Sequence, residues 1–233
     1  MKQNDKAIFL HRIPYSESSL ICTFYTLNSG IQKFIFQGGK KKSSGLFPVS
    51  VSEITYYRRP DSELGKLTDV QPIRSLSLIQ ADPIRSTITF FIADVLKNCL
   101  KTDQSDPQLF HFLEDKIGLL NTAEPSFLSL FPTDFLVGFA LQMGIEPQIP
   151  SGICRYFHLE EGEFSNLDRK GELVAEGPGV NLIQELLIGE FQDPPSRTAR
   201  KEAFEIMLSY YKLHIPGFNI DQSLEIVREI LYT

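Results

Sequence analysis

The sequence predicts an α+β protein in two parts: a five-stranded β-barrel, then a mostly α-helical region that carries a small inserted loop or β-lobe. Three observations lead there. Up to about residue 80, short apolar runs alternate with polar residues at period two, the spacing of half-buried strands. From residue 81 the apolar period lengthens to that of a helix, and Asp-Pro pairs stand where helices should begin. Charge changes at the same place, with eleven Lys/Arg and six Asp/Glu in residues 1–80 (net +5) against twelve and twenty-three in residues 81–233 (net −11). The domains expected are therefore 1–80 and 81–233, and the asymmetry suits a first part that meets phosphates and a second part that does not.

The strands are expected at Lys6–Arg12, Leu20–Thr26, Ile31–Gln37, Ser50–Arg58 and Lys66–Ile73. Leu27-Asn28-Ser29-Gly30 joins the second to the third, with Asn and Gly available for the positive φ of a tight hairpin. Five short strands that close on themselves match an OB-type barrel, for which an SH3-like barrel is the competing arrangement.

Between the third and fourth strands lies Gln37-Gly38-Gly39-Lys40-Lys41-Lys42-Ser43-Ser44-Gly45. Glycines allow close backbone approach, and Lys40, Lys41 and Lys42 would neutralise phosphates and release counterions. The segment is not a P-loop, because its glycines lack the Walker spacing and a strand rather than a helix follows. Lys33, Arg58, Arg59 and Lys66 fall on neighbouring strands beside Phe34, Phe36, Tyr56 and Tyr57. Cations interleaved with aromatics suit unpaired bases, although strand parity turns Phe34 and Phe36 into the barrel.

Asp82-Pro83 opens a helix that runs to about Lys101, with Ile84, Ile88, Phe91, Val95 and Leu96 on one face. Asp106-Pro107 repeats the device before a helix that reaches Leu120. A third helical stretch, Pro125 to Met143, is interrupted at Pro132 and ends at Gly144, a residue suited to the left-handed C′ position. Residues 145–178 collect prolines and glycines around strand-like pieces near Tyr156–Leu159 and Glu172–Val174, which reads as the inserted lobe. Helices then return at about Asn181–Phe191, Ser196–His214 and Asp221–Tyr232. Together they form a bundle.

At 233 residues and 42% hydrophobic content, the chain can build its own core. Its three cysteines, Cys22, Cys99 and Cys154, have no C-x-x-C spacing, which points to a reducing, cytoplasmic setting and to thiols used for packing. No apolar run is long enough to span a bilayer, and no apolar segment follows the polar start Met1-Lys2-Gln3-Asn4-Asp5-Lys6. Catalysis finds little support. His11, His111, His158 and His214 stand in unrelated contexts, Ser43-Ser44 has no base at a diagnostic spacing, and Glu160, Glu161 and Glu163 sit in the lobe. A binding protein is expected, for single-stranded DNA or else as an RNA-binding or adaptor module.

With both parts in view, the chain resembles the RecO family of bacterial recombination mediators. The resemblance rests on Ala7-Ile8-Phe9-Leu10 leading to Tyr15-Ser16-Glu17-Ser18-Ser19-Leu20, on Thr26 to Gly30, and on Gly38-Gly39-Lys40-Lys41-Lys42-Ser43. It continues in Phe135 to Pro147 followed by Cys154, and in Tyr210-Tyr211-Lys212-Leu213-His214. It implies an OB-fold followed by a helical domain, no catalysis, binding and annealing of single-stranded DNA, and help for RecA in replacing single-strand-binding protein.

RecR and the acidic-hydrophobic tail of single-strand-binding protein are the implied partners, the tail docking on the helical domain. Arg197, Arg200, Lys201 and Lys212 are the candidates for its acidic residues, with Phe204, Met207, Leu208 and Tyr211 as an apolar anchor on the same helix. Many members carry a four-cysteine zinc site in the lobe. This chain keeps Cys154 and has Phe157 where a C-x-x-C partner would stand, so no zinc or other cofactor is expected.

Overall fold

The computed structural model describes residues 2–39, 46–59, 62–101, 104–150, 152–167, 169, 173–189 and 194–232. The chain divides into two compact units, Met1–Thr122 and Ala123–Thr233.

The first unit begins with strands β1 (Lys2–Pro14), β2 (Leu20–Thr26), β3 (Gly30–Phe36), β4 (Val51–Tyr57) and β5 (Leu64–Pro72). They close into a barrel in the order β1-β2-β3-β5-β4, with β3 and β5 parallel and the other neighbours antiparallel. One residue of each strand pair points inward and the next outward, which collects Phe9, Phe24, Phe34, Phe36, Ile54 and Tyr56 in the interior. Phe24 meets Phe9 and Phe34 edge-on at centroid distances of 5.3 and 5.9 Å, and Tyr56 lies 4.7 Å from Phe34. Gly65 of β5 is a consequence of this filling: a Cβ there would stand 2.6 Å from the Phe34 ring. Val49 is held at φ 54°, a conformation costly for a β-branched residue, with its side chain wholly buried and its N–H donated to Phe9 O.

Three helices complete this unit: α1 (Ser77–Ala81), α2 (Pro83–Cys99) and α3 (Pro107–Thr122). Asp82 caps α2 by accepting from Ile84 N–H at 2.8 Å, and Asp106 caps α3 by accepting from Leu109 N–H at 3.0 Å. They belong with the barrel because α2 and α3 cover part of the outward side of β1 and β2, and α1 packs on α2 and α3. Ile8, Leu10, Thr23 and Tyr25 point away from the interior and are nevertheless buried. Tyr25 stacks on Phe110 of α3 and donates its hydroxyl to Asp106 O, while Lys6 of β1 is paired with Glu114 of α3. Period and charge change at residue 80, just beyond the last barrel strand; compactness divides the chain later for this packing reason.

The second unit contains α4 (Pro125–Leu128), α5 (Phe131–Gln142), a sheet of β6 (Tyr156–His158), β7 (Glu163–Ser165) and β8 (Val174–Glu176), then α6 (Pro178–Ile188), α7 (Arg197–His214) and α8 (Asp221–Tyr232). The expected interruption at Pro132 is the break between α4 and α5, and Gly144 takes a left-handed φ of 67° just past α5. Ser196 caps α7, accepting from Ala199 N–H. Phe135, Phe139 and Tyr211 stack in series, and the Tyr211 hydroxyl donates to Leu136 O at 2.8 Å. Tyr211 and Phe204 are wholly buried. They are core, so they offer no surface anchor for a peptide, which corrects the expectation for them; Met207 and Leu208 are buried with them.

A candidate nucleic-acid interface on the barrel

Covering β1 and β2 leaves the outward side of β3, β5 and β4 open. Lys33 on β3 is exposed, as parity requires between the buried Gln32 and Phe34. Two positions along, Ile35 pairs with Lys66 of β5, Lys66 with Tyr57 of β4, and Tyr57 with Lys2 of β1. Directly paired residues share a face, so register builds one outward row, Ile35–Lys66–Tyr57–Lys2. On the other side of Ile35 the row continues through Ile21 of β2 to Ile13 of β1, which is 51% exposed. The result is a band of aliphatic and aromatic surface flanked by ammonium groups. Tyr57 is 47% exposed, whereas Phe34, Phe36 and Tyr56 are interior. Of the four aromatics expected near the cations, Tyr57 alone faces out.

The remaining cations are placed differently. Arg59 is exposed just beyond β4. Arg58 donates Nε to Ser62 O at 3.0 Å and Nη2 to Glu63 O at 3.1 Å, so its guanidinium fastens the β4–β5 connection. Lys40, Lys41 and Lys42 lie outside the described residues. Lys2 was not singled out from the sequence, and only the β1–β4 register reveals its position beside Tyr57.

His11 adjoins this surface. It pairs with Thr23 in the ladder, Thr23 pairs with Lys33, and His11 Nε2 lies 3.3 Å from Thr23 Oγ1. Its Nδ1 is buried without a hydrogen-bond partner among the described residues. Burial, then the nearby charges of Lys97 and Lys33, hold its pKa below the usual value against a smaller opposing effect of Asp94.

In the second unit, a groove of about 430 Å³ runs along α7 beside β8, lined by Leu173, Val174, Ile206, Ser209, Lys212 and Leu213 among others. Lys212 therefore stands at an apolar recess. The other three expected tail-binding cations do not line it. Arg197 donates to Tyr232 O at 2.8 Å, Arg200 donates to Pro195 O, and Lys201 is exposed on the first turns of α7.

Around Cys154, the described residues of the lobe are engaged in packing and backbone hydrogen bonds. Cys154 is clamped through its backbone by Gln184, which accepts from Cys154 N–H and donates to Cys154 O, both at 2.9 Å. At the C-x-x-C partner position, Phe157 is wholly buried and stacks on Phe164 at 4.5 Å with Tyr210 at 5.5 Å. Among the described residues, no three His, Cys, Asp or Glu side chains gather where they could hold a metal.

Among the described residues, His158 Nε2 lies 2.8 Å from Ser165 Oγ. Ser165 Oγ donates to Leu167 O at 3.1 Å and accepts from Leu167 N–H at 3.2 Å, which ties it into the turn after β7. Burial pushes the Cys22 thiol up to about 11 and the Cys99 thiol to about 12, leaving both protonated. No helix among the described residues is long and apolar enough to cross a membrane.

A closed OB-type barrel with a cationic, partly aromatic outer band, followed by a helical region bearing a small sheet, defines a two-part architecture. Comparison with known proteins narrows this to one family. Residues 1–76 match the family described as Recombination protein O N terminal, and residues 80–222 match Recombination protein O C terminal. Among curated relatives, the protein from Christiangramia forsetii named DNA repair protein RecO is 26% identical over 97% of both chains. Those of the same name from Flavobacterium psychrophilum and Phocaeicola vulgatus are 26% and 28% identical over 99% of both chains. The chain belongs to the RecO family, and its role lies in recombinational DNA repair.

Proposed function

We propose that this protein is a non-enzymatic recombination mediator in the bacterial cytoplasm. It binds and anneals single-stranded DNA and, with RecR, helps RecA load onto DNA coated by single-strand-binding protein. The observation that carries the DNA reading is the outward row Lys66–Tyr57–Lys2 with Lys33 one step away on β3. Ammonium groups meet phosphates, while the Tyr57 ring and the neighbouring isoleucines give bases a sequence-indifferent surface. Arg59 and the sequence Lys40-Lys41-Lys42 supply further cations to the same part of the chain. Residues 1–122 carry net +3 and residues 123–233 net −9, so the backbone of DNA favours the first unit. The tail of single-strand-binding protein binds the second unit, with Lys212 as its main cation and Arg197, Arg200 and Lys201 in lesser roles. The lobe works without zinc, held by its aromatic stack.

The test is annealing of complementary strands coated with single-strand-binding protein. Wild type is expected to accelerate it and the Tyr57→Ala/Lys66→Ala variant to lose most of that acceleration. An equal rate for the two, with both folded, would remove the barrel face from the mechanism. Parallel titrations with poly-dT and poly-U separate a DNA protein from an RNA-binding one.

A further inference from the structure

The turn between β1 and β2 is ordered by its own hydrogen bonds. Tyr15 N–H and Ser16 N–H both donate to Ser19 O, at 3.0 and 3.3 Å, and Ser19 N–H donates to Ser16 Oγ at 3.1 Å. The bond from Tyr15 to Ser19 continues the ladder of Ile13–Ile21 and Pro14–Leu20. Strand parity therefore puts Tyr15 on the side of Ile13, away from the barrel interior. Its ring is 61% exposed, more than that of Tyr57, so it contributes little to the core.

Tyr15 stands just beyond the end of the outward row that runs from Lys2 to Ile13. That row begins and ends on β1, at residues eleven apart, after crossing every strand of the barrel. At about 3.3 Å per residue and 4.8 Å per strand, it shifts by about 36 Å along β1 for about 24 Å crossed. Strands so tilted make the row climb along the barrel rather than circle it, which keeps Tyr57, Lys66, Ile35, Ile21 and Ile13 largely on one side. Charge is unequal along this side. Lys2 and Lys66 flank Tyr57 and Lys33 lies beside Ile35, whereas the stretch from Ile13 to Leu20 carries Glu17 as its only charge. Phosphates are drawn to the lysine half, and the other half offers a single strand apolar surface and one open ring.

We propose that Tyr15 is a second base-stacking residue of this face, which makes the row a lengthwise track for one strand of DNA. The lysines around Tyr57 hold phosphates, the strand passes over Ile35, Ile21 and Ile13, and a base several nucleotides away rests on Tyr15. The proposal rests on the reading that the open side of the barrel binds single-stranded DNA; the place of the second ring rests on the turn and the register. From Tyr57 to Ile13 there are four steps between strands, about 19 Å, room for the roughly four nucleotides at the small end of the range for one OB barrel. Stacking carries no charge, so Tyr15 adds affinity without adding salt dependence. A strand too short to leave the lysines forgoes it.

The experiment uses the full chain and labelled oligo-dT. Tyr15→Ala is expected to bind about tenfold more weakly than wild type, as loss of one stacked base requires, with the same log–log salt slope. Tyr15→Phe should stay within about twofold of wild type, since the ring is retained. Photocrosslinking of wild type to oligo-dT carrying a single 5-bromodeoxyuridine, moved along the strand, should give adducts on Tyr57 and on Tyr15 from positions several nucleotides apart. Because the crosslinking uses wild type, it decides even if a variant folds poorly. Adducts on Tyr57 but not Tyr15, with Tyr15→Ala binding as wild type, overturn the proposal and leave the barrel reading standing. An equal loss in Tyr15→Phe and Tyr15→Ala overturns stacking as the role of the ring. Adducts on neither tyrosine, with an unchanged slope in Lys33→Ala/Lys66→Ala, overturn both the proposal and the barrel reading.

Discussion

The ammonium of Lys6 on β1 lies 2.6 Å from Oε1 of Glu114 on α3, a carboxylate side chain only 8% exposed. This contact, with Tyr25 on Phe110, fastens α3 to the barrel. Arg74 and His111 stand farther from the same carboxylate, at 3.9 and 3.7 Å. Lys6→Met leaves Glu114 buried with weaker company. The expected loss is about 2 kcal/mol, below the usual value for a buried pair because Lys6 is partly solvated. Urea denaturation checks it, and Lys6→Met/Glu114→Leu should regain much of the loss. A single variant within about 0.5 kcal/mol of wild type would show the pair to be incidental.

Tyr57 pairs with Lys66 on the open side of the barrel, and the two are expected to act on different parts of DNA. Tyr57→Phe should bind nearly as wild type, since the ring is retained. Tyr57→Ala should weaken binding by about 1–3 kcal/mol, the usual effect of losing one stacked base, with little change in salt dependence. Fluorescence anisotropy with labelled poly-dT at fixed salt reads both. Equal affinity for Tyr57→Ala and wild type would rule out stacking on this ring.

His11 makes the first unit sensitive to mild acid. Its folded pKa is below the unfolded value near 6.5, so the folded state holds fewer protons than the unfolded state around that pH. Stability is therefore full well above that value and falls as pH drops through it. Between about pH 8 and pH 6, the urea midpoint of wild type should decline more than that of His11→Asn. Parallel declines in the two proteins would assign the acid sensitivity to other groups.

The lobe should be indifferent to chelators. Chelation is expected to leave its melting temperature unchanged, and elemental analysis should find no stoichiometric zinc. Phe157→Ala, which opens a void between Phe164 and Tyr210, should cost about 3 kcal/mol or more. About one zinc per chain, lost together with stability on chelation, would contradict the aromatic stack as the organising element.

What could be read in the sequence follows the range of the interactions concerned. β2 and α8 were expected at Leu20–Thr26 and Asp221–Tyr232 and occur there, because hairpin chemistry and an amphipathic repeat are local signals. The first four residues of β1, Lys2 to Asp5, are polar and show no alternation; their pairing with β4 alone makes them strand. β7, Glu163–Ser165, is too short for any period to register. Parity turned Phe34 and Phe36 inward, where the structure has them. The adjacency of Lys66, Tyr57 and Lys2 depends on register between distant strands, which no local pattern encodes. Arg58 was expected as a phosphate ligand by composition; its hydrogen bonds to Ser62 O and Glu63 O are visible only in three dimensions.

The central claim is that DNA phosphates are met by the open barrel face. Its most direct measurement is the salt dependence of poly-dT binding for wild type and for Lys33→Ala/Lys66→Ala, with circular dichroism verifying the fold. Two lost phosphate contacts on a single strand should reduce the magnitude of the log–log slope by about 1.4, at roughly 0.7 per contact. Removing Lys40, Lys41 and Lys42 together should reduce it by about 2 on the same basis. An unchanged slope in the Lys33→Ala/Lys66→Ala protein, with affinity also unchanged, would contradict the assignment of this face to DNA.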